Sequence, residues 1–304
     1  MPGGDNTPTK TFEYEVSLLG NFRSPAIVIE SESLSLVMEK RREPIFEYKP
    51  GAGNWTMNGK TTTLNLAPND RSVLEFIGFP EFEGTAFKNL LASWRFYELV
   101  SALMRTENRP TPEKFLSENG EKFSSWLMTL QTHPEAFAKF KRVACDALPS
   151  LSEVLIQPTQ TASVTVSSRE SNLRRPISIQ RMSNGELAFL GLISLVFAPQ
   201  ELAAPLYCIE EPENHLHPYM LETLVEVLRQ RQDELGLNAG QIIASTHSPQ
   251  LVDKIGIEDL IITEKLQGQT RFSHPADDEE LRTLVARKDL GLGDLWYTGA
   301  LSRE

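Results

Sequence analysis

The feature that most constrains this chain is a short apolar run, Leu206-Tyr207-Cys208-Ile209, that stops on two carboxylates, Glu210 and Glu211, and then on Pro212. A run this short with no polar alternation reads as a strand buried on both faces. Its surroundings repeat the theme. Ser183 can cap a helix running through Glu186 to Val196. Pro218 can open another, with Leu221, Leu224, Val225 and Leu228 on one face. Gln241 to Ser245 reads as a second buried strand, Ile257 to Ile262 as a third, and Asp277 to Arg287 as a last helix. Strand and helix alternating in this way predict a parallel sheet covered on both faces.

The first half has a different character. Residues 1–10 hold Pro, Gly, Asn and Thr without periodicity and read as a frayed terminus. Phe12, Tyr14 and Val16 alternate with polar neighbours, Ala26–Ile29 and Leu34–Met38 repeat the pattern, and Asn58-Gly59 marks a hairpin turn. Helical spacing then sets in: Leu90, Leu91, Trp94, Tyr97 and Leu103 predict one helix ending before Arg109-Pro110. Residues 115–130 and 134–148 predict two more. Thr161–Ser168 and Ile177–Gln180 are strand-like, with a basic loop from Arg169 to Arg175 between them.

Three groups of residues can carry chemistry. Glu210 and Glu211 stand where ligands bind in open α/β sheets, at the C-terminal end of a strand. One of two adjacent carboxylates there can hold Mg²⁺ while the next polarises a water; the plain alternative is a solvated acidic turn. His247, in Ser245-Thr246-His247-Ser248-Pro249, again follows an apolar strand and can reach a terminal phosphate or the attacking water. With His215 and His217 it also leaves a zinc site, completed by Glu211, as an alternative. Ser183-Asn184-Gly185-Glu186 opens a helix whose free N–H groups suit an anion, and Ser183 with Glu186 also spells a capping box.

In this order the three groups resemble the ATP-binding-cassette superfamily, in its RecF/SMC-like predicted ATPase (AAA) branch. Ser183-Asn184-Gly185-Glu186 looks like the signature motif, Cys208-Ile209-Glu210-Glu211 like the Walker B strand, and His247 like the switch histidine. Glu211 to Pro218 and Leu290 to Leu301 are similar to further markers of that branch. The resemblance implies a P-loop NTPase of the ABC ATPase head type, α/β, with an antiparallel β-meander and a helical insertion. It implies ATP and Mg²⁺ as cofactors, Glu210 on the metal, Glu211 as base toward water and His247 as sensor of the γ-phosphate. Ser183, Asn184, Gly185 and Glu186 would meet the ATP of an opposing subunit, with Asn214 and His215 on the inter-subunit loop. The divisions expected are a disordered terminus at 1–10, a β subdomain at 11–86, a helical insertion at 87–149 and the C-terminal ATPase lobe at 150–304.

The family grips phosphate with a Walker A loop, Gly-x-x-x-x-Gly-Lys-Ser/Thr. The 304 residues contain none. The nearest string, Gly53 to Thr61, has five residues between its glycines and leads into a strand-like run, so it reads as a hairpin tip. The expectation is therefore an ATP-binding, ATP-hydrolysing head that is truncated at the front or split, with the Walker A supplied elsewhere. Its partner would be a second copy or a Walker A-bearing subunit. The alternative is a catalytically inactive module that lends its signature surface to such a partner. The missing loop weighs against hydrolysis by the chain alone. A net charge of -11 argues against a broad DNA footprint, which leaves DNA as an analogy from the family beside one local basic patch, Arg169, Arg174, Arg175 and Arg181. Two cysteines, no signal peptide and no apolar run of membrane-spanning length point to the reducing cytoplasm and to no membrane partner.

Overall fold

The computed structural model describes residues 11–21, 24–38, 41–49, 52–57, 60–64, 70–78, 82–286, 291–299 and 301. The expected frayed terminus at 1–10 and the turn at Asn58-Gly59 lie outside them. The chain divides into two units, Met1–Ser93 and Trp94–Glu304.

In the first unit, alternation becomes an antiparallel meander: β1 (Thr11–Asn21), β2 (Ser24–Met38), β3 (Arg41–Lys49), β4 (Ala52–Met57) and β5 (Lys60–Leu64), paired in sequence order. The two runs expected at 26–29 and 34–38 are one strand, β2. The Gly53–Thr61 string runs from β4 into β5, whose backbones pair Met57 with Lys60, and opens no helix. Ile29, Leu34, Leu36, Ile45, Phe46 and Tyr48 pack with Val73 and Leu74 of the short helix α1 (Val73–Phe76). Phe87 and Leu91 of α2 (Thr85–Ser93) lie against the same cluster. One carboxylate is inside this core. Glu32 is 1% exposed and accepts from Tyr14 Oη at 2.9 Å, Ser72 Oγ at 2.6 Å and the Val73 N–H at 2.8 Å. A buried charge with three donors, one of them at a helix start, is tolerable where a bare one is not.

The second unit is organised around a parallel three-stranded sheet, in the order β11 (Gln241–Ser245), β10 (Leu206–Glu210), β6 (Arg95–Tyr97). In chain order, β6 is followed by α3 (Ser101–Met104), α4 (Phe123–Gln131) and α5 (Pro134–Ala147). An antiparallel sheet comes next, β7 (Leu151–Pro158), β8 (Val164–Glu170) and β9 (Ile177–Ser178). Then come α6 (Asn184–Val196), β10, α7 (Pro218–Leu235), β11 and α8 (Pro249–Lys254). The hairpin β12 (Ile262–Leu266) and β13 (Gln269–Ser273) and the helices α9 (Glu279–Ala286) and α10 (Leu292–Tyr297) finish the unit. The core gathers on α6, where Leu187, Phe189, Leu190, Leu192 and Ile193 are buried with Trp126, Phe140, Val166 and Tyr207. At roughly 1.5–3 kcal/mol for each fully buried large apolar side chain, this cluster anchors α6 in the unit.

Several sequence expectations give way. The single helix read across 87–108 is two short helices with β6 between them. Arg95, Phe96 and Tyr97 pair in register with Tyr207, Cys208 and Ile209, and this tertiary pairing overrides helical periodicity in a segment rich in aromatics. The helix read from Phe115 starts only at Phe123, because Gly120 turns the chain at φ 79° with Met104 packed against its α-carbon. Residues 257–259 form a 3-10 turn rather than a strand, and β12 begins at Ile262. The sheet is also less buried than its composition suggests. Tyr207 and Ile209 face the α6 core, whereas the row Phe96, Cys208 and Ile243 faces the other way. Phe96 is 54% and Ile243 59% exposed, and β11 has no second strand neighbour among the described residues. No described helix is long and apolar enough to cross a membrane.

Candidate functional site

The last rung of β10 pairs Glu210 with Ser245 of β11. One residue later the Glu211 N–H still donates to the Ser245 carbonyl, at 3.1 Å, and to its Oγ, at 3.3 Å. Glu211 then turns the chain with φ 39°, in the left-handed region that costs a side-chain-bearing residue about 1 kcal/mol or more. In a continuing strand adjacent residues point to opposite faces. The turn breaks that alternation, and Glu210 and Glu211 both line one cavity. Asn214 closes the turn: its N–H donates to the Glu211 carbonyl at 3.0 Å and its Nδ2 to Glu211 Oε2 at 2.8 Å. His215 is the second left-handed residue, at φ 67°.

The start of α6 is built against this turn. Ser183 caps the helix, with Oγ accepting from the Glu186 N–H at 3.1 Å, and Glu186 Oε2 accepts from the Ser183 N–H at 2.6 Å. The capping box read from the sequence is therefore present. Gly185 is there for contact. A Cβ at this position would stand 2.5 Å from the His215 carbonyl oxygen, closer than side-chain carbons approach backbone. Arg105, not foreseen from the sequence, fastens the same corner. Its guanidinium donates to the Met182 carbonyl at 2.7 Å, to Asn184 Oδ1 at 2.8 Å and to the Ser101 carbonyl at 2.8 Å, and Ser101 Oγ donates to the Asn184 carbonyl.

Between these parts lies a cavity of about 360 Å³. Five of the residues named from the sequence line it: Asn184, Glu210, Glu211, Asn214 and His215. Ser183, Gly185 and Glu186 flank Asn184 on α6. His247 approaches from the loop after β11, with Nε2 3.8 Å from Glu211 Oε1, its side chain 82% exposed and its ring 6.4 Å from that of Trp296 on α10. The structure thus brings all nine sequence-named residues to one end of the sheet. Residues 98–102 supply the opposite wall, which went unread because the β6 end was hidden inside an expected helix. Glu98 adds a third carboxylate to the lining, which contains no Lys or Arg among the described residues.

The donor set can be tested against a metal. No described group bonds the Glu210 carboxylate, which opens on the cavity beside Glu211. Mg²⁺ keeps several waters and takes one or two carboxylates plus phosphate oxygens, so this pair fits it. Zinc asks for three clustered ligands, and no such group of His, Cys, Asp and Glu exists among the described residues. His217 is used otherwise: its Nδ1 accepts from the Tyr219 N–H and caps α7. Behind the site, burial pushes the Cys208 thiol up, away from the reactive thiolate form. Of the basic patch, Arg169 is paired with Glu153 at 3.3 Å.

A family model described as "AAA domain, putative AbiEii toxin, Type IV TA system" matches residues 73–253. Among curated proteins no sequence matches. Solved structures similar to the chain include an SMC head bound to the C-winged helix domain of ScpA, at 12% identity and TM-score 0.48, covering 80% of this chain and 74% of that one. The SMC head domain from Thermotoga maritima is similar at 14% identity and TM-score 0.38, over 82% and 75%. A chain from work on ATP-driven dimerization and DNA-stimulated activation of SMC ATPases matches at 15% identity and TM-score 0.39, over 53% and 96%.

Proposed function

The chain belongs to the AAA-domain family whose model spans residues 73–253, a family of nucleotide-binding ATPase type, and from that premise we propose that it is one head of a composite ATP site. The observation that carries this reading is the cavity, in which Glu210, Glu211, Asn184, Asn214 and His215 meet at the C-terminal edge of a parallel sheet. Glu210 would hold Mg²⁺, which would supply charge neutralisation to a bound polyphosphate. Glu211, held by Asn214, takes the proton from the attacking water. His247, near Glu211, meets the γ-phosphate. The first turn of α6, where Ser183 and Asn184 are exposed and Gly185 is buried, faces the nucleotide of an opposing subunit.

The phosphate cradle comes from outside these 304 residues. Two features support this. Three carboxylates line the cavity with no Lys or Arg among the described residues to balance a polyphosphate. The edge of β11 has no second strand neighbour among the described residues. A strand paired with that edge and a loop bearing basic residues would answer both. Such a segment belongs to a second polypeptide or to a longer form of this chain, and the assembly is a homodimer or heterodimer of heads. Contact with DNA enters only by the family resemblance.

The test is Mg-ATP binding and turnover by the purified chain, alone and mixed with a Walker A-bearing candidate subunit. The expected result is no turnover alone and turnover in the mixture, abolished by Glu211→Gln. Turnover by the chain alone that Glu211→Gln abolishes would sink the composite site. Binding in the mixture that is indifferent to Glu210 and Glu211 would instead favour a module that lends only its α6 surface.

A further inference from the structure

The His247 side chain is 82% exposed, yet its backbone is held. Glu213, two residues beyond Glu211, reaches across to the loop after β11. Its Oε1 accepts from Thr246 Oγ1 at 2.6 Å and from the His247 N–H at 3.0 Å. Thr246 Oγ1 accepts in turn from the Ser248 N–H at 3.0 Å, and Ser248 Oγ caps α8 by accepting from the Leu251 N–H at 3.3 Å. One carboxylate therefore ties the turn that carries Glu211 to the loop that carries His247 and, through Thr246, to the start of α8. Two donors on one ionised oxygen make a strong clamp. The other oxygen, Oε2, is buried with no hydrogen-bond partner among the described residues. A buried acceptor left unmet costs stability, and such a group in a native structure calls for an explanation.

The imidazole has no comparable anchor of its own. Its side chain is 82% exposed, and its neighbours are Glu211 Oε1 at 3.8 Å and the Trp296 ring at 6.4 Å. Trp296 is placed through α8 as well, since Asp253 Oδ1 accepts from the Gly293 N–H at the start of α10 at 2.7 Å. We propose that Glu213 is a positioning residue: by holding the His247 N–H and the Thr246 hydroxyl it sets the imidazole over Glu211 and beside Trp296. This rests on reading Glu211 and His247 as parts of one site. The role of Glu213 is indirect, because it is not among the residues that line the cavity and its carboxylate bonds Thr246 and the His247 N–H.

The experiment uses the full chain without nucleotide. Glu213→Ala and Glu213→Gln are compared by amide exchange at His247 and by the carbon-bound imidazole proton resonances. The chain has five histidines, and His247→Gln assigns the relevant signal. Glu213→Ala is expected to raise His247 amide exchange roughly tenfold or more, the effect of losing a charge-assisted hydrogen bond. It should also move the His247 ring signal toward its position in Trp296→Phe, where the ring current is reduced. Exchange at Tyr207 to Ile209 should stay as in wild type. Glu213→Gln should restore both His247 readouts, because its amide oxygen still accepts both bonds. Should Glu213→Ala not fold, Thr246→Val removes one of the two donors and is expected to give the same ring shift with a smaller rise in exchange. Three results would overturn the proposal: unchanged His247 signals in the variants that remove a bond, an equal rise in exchange all along β10 and β11, or a Glu213→Gln variant no better than alanine. No readout needs ATP, so a chain that supports no ATP turnover even when mixed with a Walker A-bearing subunit refutes the proposed function and leaves this clamp standing, and the reverse also holds.

Discussion

Replacing Gly185 by alanine puts one methyl group where the protein has no room for it. Two opposing effects can be weighed. On helix propensity alone, Gly→Ala inside a helix gains about 1 kcal/mol. Against this, the new Cβ would sit 2.5 Å from the His215 carbonyl oxygen, while a comfortable carbon–oxygen contact is roughly 3.3 Å, so helix or turn must yield by about 0.8 Å. The atom in the way is backbone, in a residue already at φ 67°, so it cannot rotate aside. Overpacking of this kind costs about 1–3 kcal/mol, which leaves a net loss of roughly 0–2 kcal/mol. Gly191, on the same helix, is the control. A Cβ there meets Leu99 Cδ1 at 2.8 Å and Met104 Cε at 3.0 Å, the far ends of flexible side chains. Urea denaturation should therefore rank Gly185→Ala below Gly191→Ala, and amide exchange at Asn214 should rise only in the former. If Gly185→Ala is as stable as Gly191→Ala, the close approach of α6 to the turn is not real.

Other perturbations read other parts of the structure. His215→Gly relieves a left-handed residue whose side chain is exposed, and should raise the melting temperature by the equivalent of up to about 1 kcal/mol; a fall would show that the turn is not strained. Ser194→Ala removes the acceptor that Trp126 Nε1 uses at 2.9 Å inside the core, and should cost about 1–3 kcal/mol in chemical denaturation. Adding Trp126→Phe should then cost less than it does alone, and strict additivity would refute the pair. Tyr14 bears on alkaline stability. Burial first, and the Glu32 charge next, push its hydroxyl up to about 12 from the ordinary 10.0. The fold thus keeps a proton that the unfolded chain releases near the ordinary value, so the contribution is complete below it and is lost as pH climbs toward the raised one. Tyr14→Phe should flatten the alkaline limb of the stability profile of the first unit, followed alongside tyrosinate absorbance, and an unaltered limb would exclude this origin.

How much was legible depended on the range of the interactions involved. The α6 cap, β10, the α7 start and the loop after β11 were readable because each is written locally, in a capping box, an apolar run, a proline and a strand end. These placed all the named residues at one sheet end. The pairing of β6 was hidden because three residues carry it and their partners are far away in sequence. The role of Glu213, which stands within the Glu211–Pro218 string, and that of Arg105 went unread for the same reason: their partners, Thr246 on the loop after β11 and Asn184 on α6, are far away in sequence. The burial of β11 was misjudged because an apolar strand reports what it could be covered by, not what covers it.

The sheet under the site is assembled from remote pieces. Arg95 pairs with Tyr207 across more than a hundred positions, with α3 to α6 and the β7–β9 sheet threaded between. Loop-closure entropy grows only with the logarithm of length, each doubling adding about 0.6 kcal/mol. Lengthening a surface loop between β6 and α6 is therefore thermodynamically cheap, so the connections in this stretch can grow without losing the acidic corner. The cost falls on time instead. Non-local pairings slow folding, and the β6–β10 rungs, with partners more than a hundred positions apart, are pairings of that kind.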